Sequence, residues 1–202
     1  MKITTIKQQA KRANRYSVFV EGKYAFSLSE TALLDSKLAS GQELTKEQVG
    51  KFKKLSADDK LYSQTLRYVA MRPRTRWEIE IYLERKKASP DLTEQILNKL
   101  SAVGLIDDEK LARAFVNDRR LLRPTSRRKM TLELRKKHVA DEVIQMTVGN
   151  EPQNEQTALQ AVIETKGRQS KYQDDLKLMQ YLARQGFNYD DIKSALAAEE
   201  PG

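Results

Sequence analysis

The 202-residue sequence predicts a mainly α protein: tandem three-helix-bundle repeats in an elongated, curved array, behind a small N-terminal β-hairpin or three-stranded extension. Three observations predict it. β-branched and aromatic residues crowd the first 30 positions, helix-capping patterns recur from Ser29 onward, and one apolar spacing returns three times in the rest of the chain.

The elements follow in order. Tyr16-Ser17-Val18-Phe19-Val20 and Lys23-Tyr24-Ala25-Phe26-Ser27-Leu28 flank Glu21-Gly22, a two-residue turn with glycine, and read as a hairpin. A lone hairpin is marginal in water, so Ile3–Gln8 is expected as a third strand. Ser29 opens a short helix that ends before Gly41. Thr45…Gln48 and Thr75…Glu78 have capping-box form, with a hydroxyl at the cap and an amide or carboxylate three residues on. Asp91-Leu92-Thr93-Glu94 starts another helix, and Gly104 stands where a left-handed residue would end it. Asp107 and Asp108 place negative charge at the next helix start, where the dipole favours it. Pro124 marks a break, with Thr125 or Ser126 as the following cap. Gly149, Gly167 and Gly186 punctuate the remainder.

The repeat consists of Leu83…Ile96…Leu100, Leu134…Ile144…Val148 and Leu182…Ile192…Leu196. The last two positions are four apart in each set, and the leading leucines are spaced 51 and then 48 residues apart. Each unit reads as a helix, a second helix ending in Leu-x-x-Lys/Arg/Gln, a turn and a short third helix. Such units stack on their neighbours and build an extended surface. The expected parts are residues 1–60 (the β extension plus short helices), 61–104, 105–150 and 151–202.

Composition removes much chemistry. There is no cysteine, hence no disulfide, thiolate nucleophile or Cys-ligated zinc, and the single histidine, His138, excludes multi-histidine metal sites. Neither G-x-x-x-x-G-K-[ST] nor G-x-G-x-x-G occurs, so no phosphate-cradling loop is expected. Asp107 and Asp108 read as capping and dipole residues rather than metal ligands. Trp77, one turn before Ile81, reads as a core residue, and Tyr62 and Tyr68 as packing residues. The expectation is a non-enzymatic protein without cofactors. No apolar run reaches the length of a membrane span and no signal peptide is apparent, so the expected location is the cytoplasm, without membrane contact.

Charge points to an anionic partner. The formal net charge is +9, and residues 61–140 hold 19 basic against 10 acidic residues, while residues 141–202 hold 6 against 11. Twelve of those 19 are arginine, which grips phosphate or carboxylate bidentately. Arg72, Arg74 and Arg76 flank a helix start. Arg119, Arg120, Arg123, Arg127, Arg128 and Lys129 bracket Pro124. Like charges so close repel, which suggests a neutralising partner. Arg85, Lys86 and Lys87, and Arg135, Lys136 and Lys137, end second helices of two repeats. Cations are favoured there by the helix dipole alone, but their recurrence would also repeat charge along a stack.

The chain resembles the RecX regulatory proteins, bacterial modulators of the RecA recombinase, over nearly its whole length. Gly104-Leu105-Ile106-Asp107-Asp108-Glu109-Lys110-Leu111-Ala112, continuing through Phe115 to Arg119, is similar to the Leu-Ile-Asp-Asp segment that opens the second three-helix repeat. Arg72-Pro73-Arg74-Thr75-Arg76-Trp77-Glu78 with Leu83, Glu133-Leu134-Arg135-Lys136-Lys137, and Leu182-Ala183-Arg184-Gln185-Gly186-Phe187 resemble segments of repeats one, two and three. Two departures stand in repeat two: His138 replaces a family glycine, and Pro124-Thr125 replaces a Lys-Gly pair. The resemblance implies a monomeric regulator in the groove of the RecA–single-stranded DNA filament. It would hinder ATP turnover, strand exchange and cleavage of the SOS repressor. A direct DNA- or RNA-binding helical module is the competing reading.

Overall fold

The computed structural model describes residues 1–149 and 152–198. The boundary expected between residues 150 and 151, and the acidic residues Glu199 and Glu200, lie outside them.

The β-branched opening folds into β1 (Ile3–Gln9), β2 (Arg12–Val20) and β3 (Lys23–Ser29), one antiparallel sheet in chain order. Glu21 and Gly22 have φ of 51° and 73°. Two left-handed residues suit the twist of a tight hairpin. Ile3, Val18, Val20, Phe26 and Leu28 share one core with Leu38, Leu44 and Val49. The start of β1 is paired on its outer edge: the Ile3 N–H donates to the Gln42 carbonyl and the Leu44 N–H to the Met1 carbonyl, both at 2.8 Å. Paired edges resist intermolecular strand addition.

Ser29 caps α1 (Glu30–Ser36), its hydroxyl accepting the Ala32 N–H. Thr45 and Gln48 complete the capping box of α2 (Lys46–Ala70). The expectation of only short helices before residue 60 is corrected here. α2 runs 25 residues without a break, since nothing after Gly50 interrupts a helix and the helix has two surfaces to cover. Val49 joins the sheet core, while Thr65 and Val69 are buried further along. α3 spans Arg76–Arg85 and α4 Pro90–Ala102. α4 opens one residue earlier than expected. Pro90 takes the first helical position, where the missing N–H costs nothing, and the Ser89 hydroxyl accepts the Leu92 N–H. Six more helices follow: α5 (Asp108–Leu122), α6 (Arg127–Lys136), α7 (Asp141–Val148), α8 (Pro152–Gly167), α9 (Asp175–Arg184) and α10 (Tyr189–Ala197). A single 3-10 turn at Ser170–Tyr172 precedes α9.

The chain divides into two compact units. The first holds residues 1–72 and 79–102, and the second residues 73–78 with the chain from Val103 on. In the second unit, Ala112, Val116, Met130, Leu134, Val139, Ile144 and Val148 form one core. Leu159, Val162, Ile163, Leu178, Leu182, Phe187 and Ile192 form another. The repeated apolar positions are core positions: of the nine, only Leu196 is more than 4% exposed.

The three second helices also end identically. The N–H groups of Ala88, Val139 and Phe187 donate to the carbonyls of Leu83, Leu134 and Leu182 at 3.1–3.3 Å. Those of Lys87, His138 and Gly186 donate to Glu84, Arg135 and Ala183 at 2.8–2.9 Å. This is the Schellman termination, which requires a left-handed residue at the donor of the inner bond. Lys87, His138 and Gly186 have φ of 58°, 55° and 90°. His138 therefore takes up the backbone geometry of the glycine it replaces, and the turn is kept.

Candidate partner-binding surface

The second unit carries the residues with most to say about function. The hydroxyls of Thr75 and Ser126 cap α3 and α6, and both residues are fully buried. Each capped end receives a second acceptor from a distant helix start. Asp108 Oδ1 accepts the Arg76 N–H at 2.9 Å, and Glu155 Oε2 accepts the Arg127 N–H at 2.9 Å. A carboxylate at a helix N-terminus is stabilised by the dipole. Burial raises the Glu155 carboxyl above its ordinary value; the Arg127 N–H and charge pull the other way, and Asp191 adds to the rise.

The turns that end α6 and α9 complete these contacts. The His138 ring stacks on Trp77 with centroids 3.9 Å apart and planes 17° apart. Trp77 is half-buried against His138, not a core residue as its spacing from Ile81 suggested. Lys137 Nζ lies 3.9 Å from Glu78, which itself accepts the Thr75 N–H. In the corresponding place further on, the Ser126 hydroxyl donates to the Gln185 carbonyl, and a Cβ on Gly186 would stand 2.8 Å from that hydroxyl. Asp107 caps α5 through the Lys110 N–H, as expected. No group of metal-ligating side chains occurs among the described residues.

The expected basic clusters divide on inspection. Arg119 pairs with Glu133 at 2.6 Å and lies over the Phe115 ring at 4.9 Å. Arg120 donates to the Val148 carbonyl at 2.9 Å, and Lys129 to Gln185. Of the six cations around Pro124, for which a neutralising partner was expected, these three have acceptors within the unit. Arg72, Arg74, Arg76 and Arg127 also interact with neighbouring groups of the chain. Arg135 pairs with Asp141 at 2.7 Å. Arg123, Arg128 and Lys136 are exposed and remain available to a partner. Arg127, Arg128 and Arg135 line a cleft of about 910 Å³ together with Asp141, Glu155 and Asp191. In the first unit, Arg85, Lys86 and Lys87 are exposed at the end of α3, with Lys86 Nζ 5.6 Å from the Tyr82 ring centroid. Tyr82 in turn stacks on Tyr68 at 4.1 Å.

Leu83, Leu134 and Phe187, named by their motifs, are core, while Phe115 is partly buried beneath Arg119. The buried contacts of Glu155 and Gln185 had no signal in the sequence, because each partner is at least 28 residues away.

Four family models match the chain in order. They are the regulatory protein RecX N-terminal domain over residues 1–45, and the first, second and third RecX three-helix domains over 62–100, 107–147 and 153–196. The chain belongs to the RecX family. Among relatives, the regulatory protein RecX of Lactobacillus johnsonii is 33% identical over 71% of this chain and 52% of its own length. The chain thus spans about half of that relative. The RecX of Lacticaseibacillus casei is 27% identical over 98% of this chain and 77% of its own. A crystal structure of regulatory protein RecX superposes with a TM-score of 0.76 and 26% identity, over 97% of this chain and 98% of that one. These relatives are regulatory proteins by name. Among the described residues no helix is long and apolar enough to cross a membrane.

Proposed function

We propose that this chain is a non-enzymatic regulator that binds the RecA–single-stranded DNA filament in its helical groove as a monomer. It hinders ATP turnover, strand exchange and SOS-repressor cleavage there. The ordered match of all four RecX models carries the reading. The exposed cations Arg123, Arg128 and Lys136 support it, since they lie on α6 and its approach and suit an acidic protein surface or DNA phosphate. Several weak contacts along a filament add through effective concentration.

Co-sedimentation tests the reading. The parent chain pellets with RecA filaments formed on single-stranded DNA, and the variant Arg123→Glu/Arg128→Glu/Lys136→Glu does not, with helix content unchanged. Equal pelleting of parent and variant removes these cations from the contact. Pelleting with naked DNA but not with the filament removes the RecA reading in favour of a direct nucleic-acid module.

A further inference from the structure

We infer that the first unit carries a second anion site, a cleft between β2 and α2 that holds the phosphate backbone of a nucleic acid. The cleft has a volume of about 190 Å³ and is lined by Arg12 and Asn14 of β2 and by Lys60, Ser63, Gln64 and Arg67 of α2. None of the basic clusters singled out above includes these residues.

Its construction follows from spacing. Lys60, Ser63, Gln64 and Arg67 stand at i, i+3, i+4 and i+7, hence on one face of α2. No acidic residue stands three or four positions from Lys60 or Arg67 on that helix. Arg12, Lys60 and Arg67 are exposed. Among the described residues none of these three side chains has a hydrogen bond or ion pair, unlike Arg119, Arg120 and Lys129. Three cations that repel one another without a local counter-charge are stabilised by an anion between them.

The walls are held rigidly beneath. Arg15, 5% exposed, donates to Asp59 Oδ2, Ser27 Oγ and the Ser27 carbonyl at 2.9 Å each. Asp59 also accepts the Ser29 N–H and hydroxyl at 2.9 and 2.6 Å. Asp59 is therefore consumed by β2 and β3, and it neutralises Arg15 rather than the three outer cations. The Arg15–Asp59 pair thus ties β2 to α2 beneath the cleft, and among the described residues no acid lines it.

The donor set selects the ligand class. Guanidinium, ammonium, hydroxyl and amide groups are those that contact backbone phosphates. Leu66 is the one apolar side chain in the lining and no aromatic residue lines it, so an apolar anchor of a peptide and a stacked base both lack a seat. Recognition is of phosphate without sequence preference.

The test uses the full chain, without recombinase, and a fluorescent 30-residue oligothymidylate followed by anisotropy from 50 to 300 mM salt. In Arg12→Ala/Lys60→Ala/Arg67→Ala the slope of log affinity against log salt falls in magnitude by about 2, three cations at about 0.7 each. Arg12→Lys/Arg67→Lys keeps the parent slope. An unchanged slope in the triple alanine variant, with its unfolding midpoint preserved, overturns the site. Loss of binding to phosphatidylserine vesicles with oligonucleotide binding retained also overturns it, in favour of a lipid surface. Because RecA is absent from the assay, failure here leaves the filament reading standing, and failure of that reading leaves this site standing.

Discussion

Gly186→Ala is the substitution whose cost the structure defines most closely. Gly186 has φ of +90°, a conformation in which an L side chain costs about 1–2 kcal/mol. The new Cβ would also stand 2.8 Å from Ser126 Oγ and 3.4 Å from the Arg128 Cβ. Ser126 is fully buried, and its hydroxyl donates to the Gln185 carbonyl and accepts the Lys129 N–H as the cap of α6. Displacing it removes a cap worth about 1 kcal/mol. The expected total is about 2–3 kcal/mol. Gly104→Ala supplies the reference, because Gly104 has φ of +71° but nothing lies within 4 Å of the Cβ that an alanine would add. It measures the backbone cost alone, about 1–2 kcal/mol. Both sites lie in the second unit, so equilibrium urea unfolding followed by circular dichroism compares them directly. Gly186→Ala should cost at least about 1 kcal/mol more than Gly104→Ala, and combining it with Ser126→Ala should give less than the sum of the two single losses. Equal midpoints for the two alanine variants would refute the close approach of the Gly186 turn to Ser126.

Other expectations follow from the same geometry. Asp59→Asn leaves the buried Arg15 charge unneutralised and should destabilise the first unit by about 3–5 kcal/mol; a urea midpoint within experimental error of the parent contradicts this. Lys87→Gly, at an exposed left-handed position with φ of 58°, should stabilise by about 0.5–1 kcal/mol, whereas His138→Gly should be near neutral, because relief of the backbone is offset by loss of the Trp77 stack. A matching gain at both positions argues against a stabilising stack. Burial holds the Glu155 carboxyl above its ordinary value, so the folded state binds its proton more tightly than the unfolded one. That contribution is present below the ordinary carboxylate value and is lost as pH rises through the folded value. The stability of the parent relative to Glu155→Gln should therefore fall as pH rises from about 4; a flat or rising difference contradicts the burial.

Local signals were readable and distant ones were not. The two capping boxes, the Glu21-Gly22 turn and the Asp107 cap depend on residues within four positions of one another, and each forms as expected. The apolar repeat was readable because each unit buries the same face. The second acceptors at α3 and α6 come from 32 and 28 residues away, beyond any periodic pattern. The internal acceptors of the basic cluster were hidden for the same reason: Arg119 and Arg120 find Glu133 and the Val148 carbonyl across the fold, which composition does not register. Trp77 has helical spacing to Ile81, but its ring meets His138, 61 positions on. The Arg15–Asp59 pair left no trace, as an arginine in an N-terminal strand usually faces water.

The measurement that tests the central claim most directly is ATP hydrolysis by the cognate RecA on single-stranded DNA as the purified chain is added from far below one molecule per protomer. The filament reading predicts inhibition at substoichiometric ratios. Hydrolysis that stays at the uninhibited rate through a molar excess, with the chain folded and active in DNA binding, would contradict it.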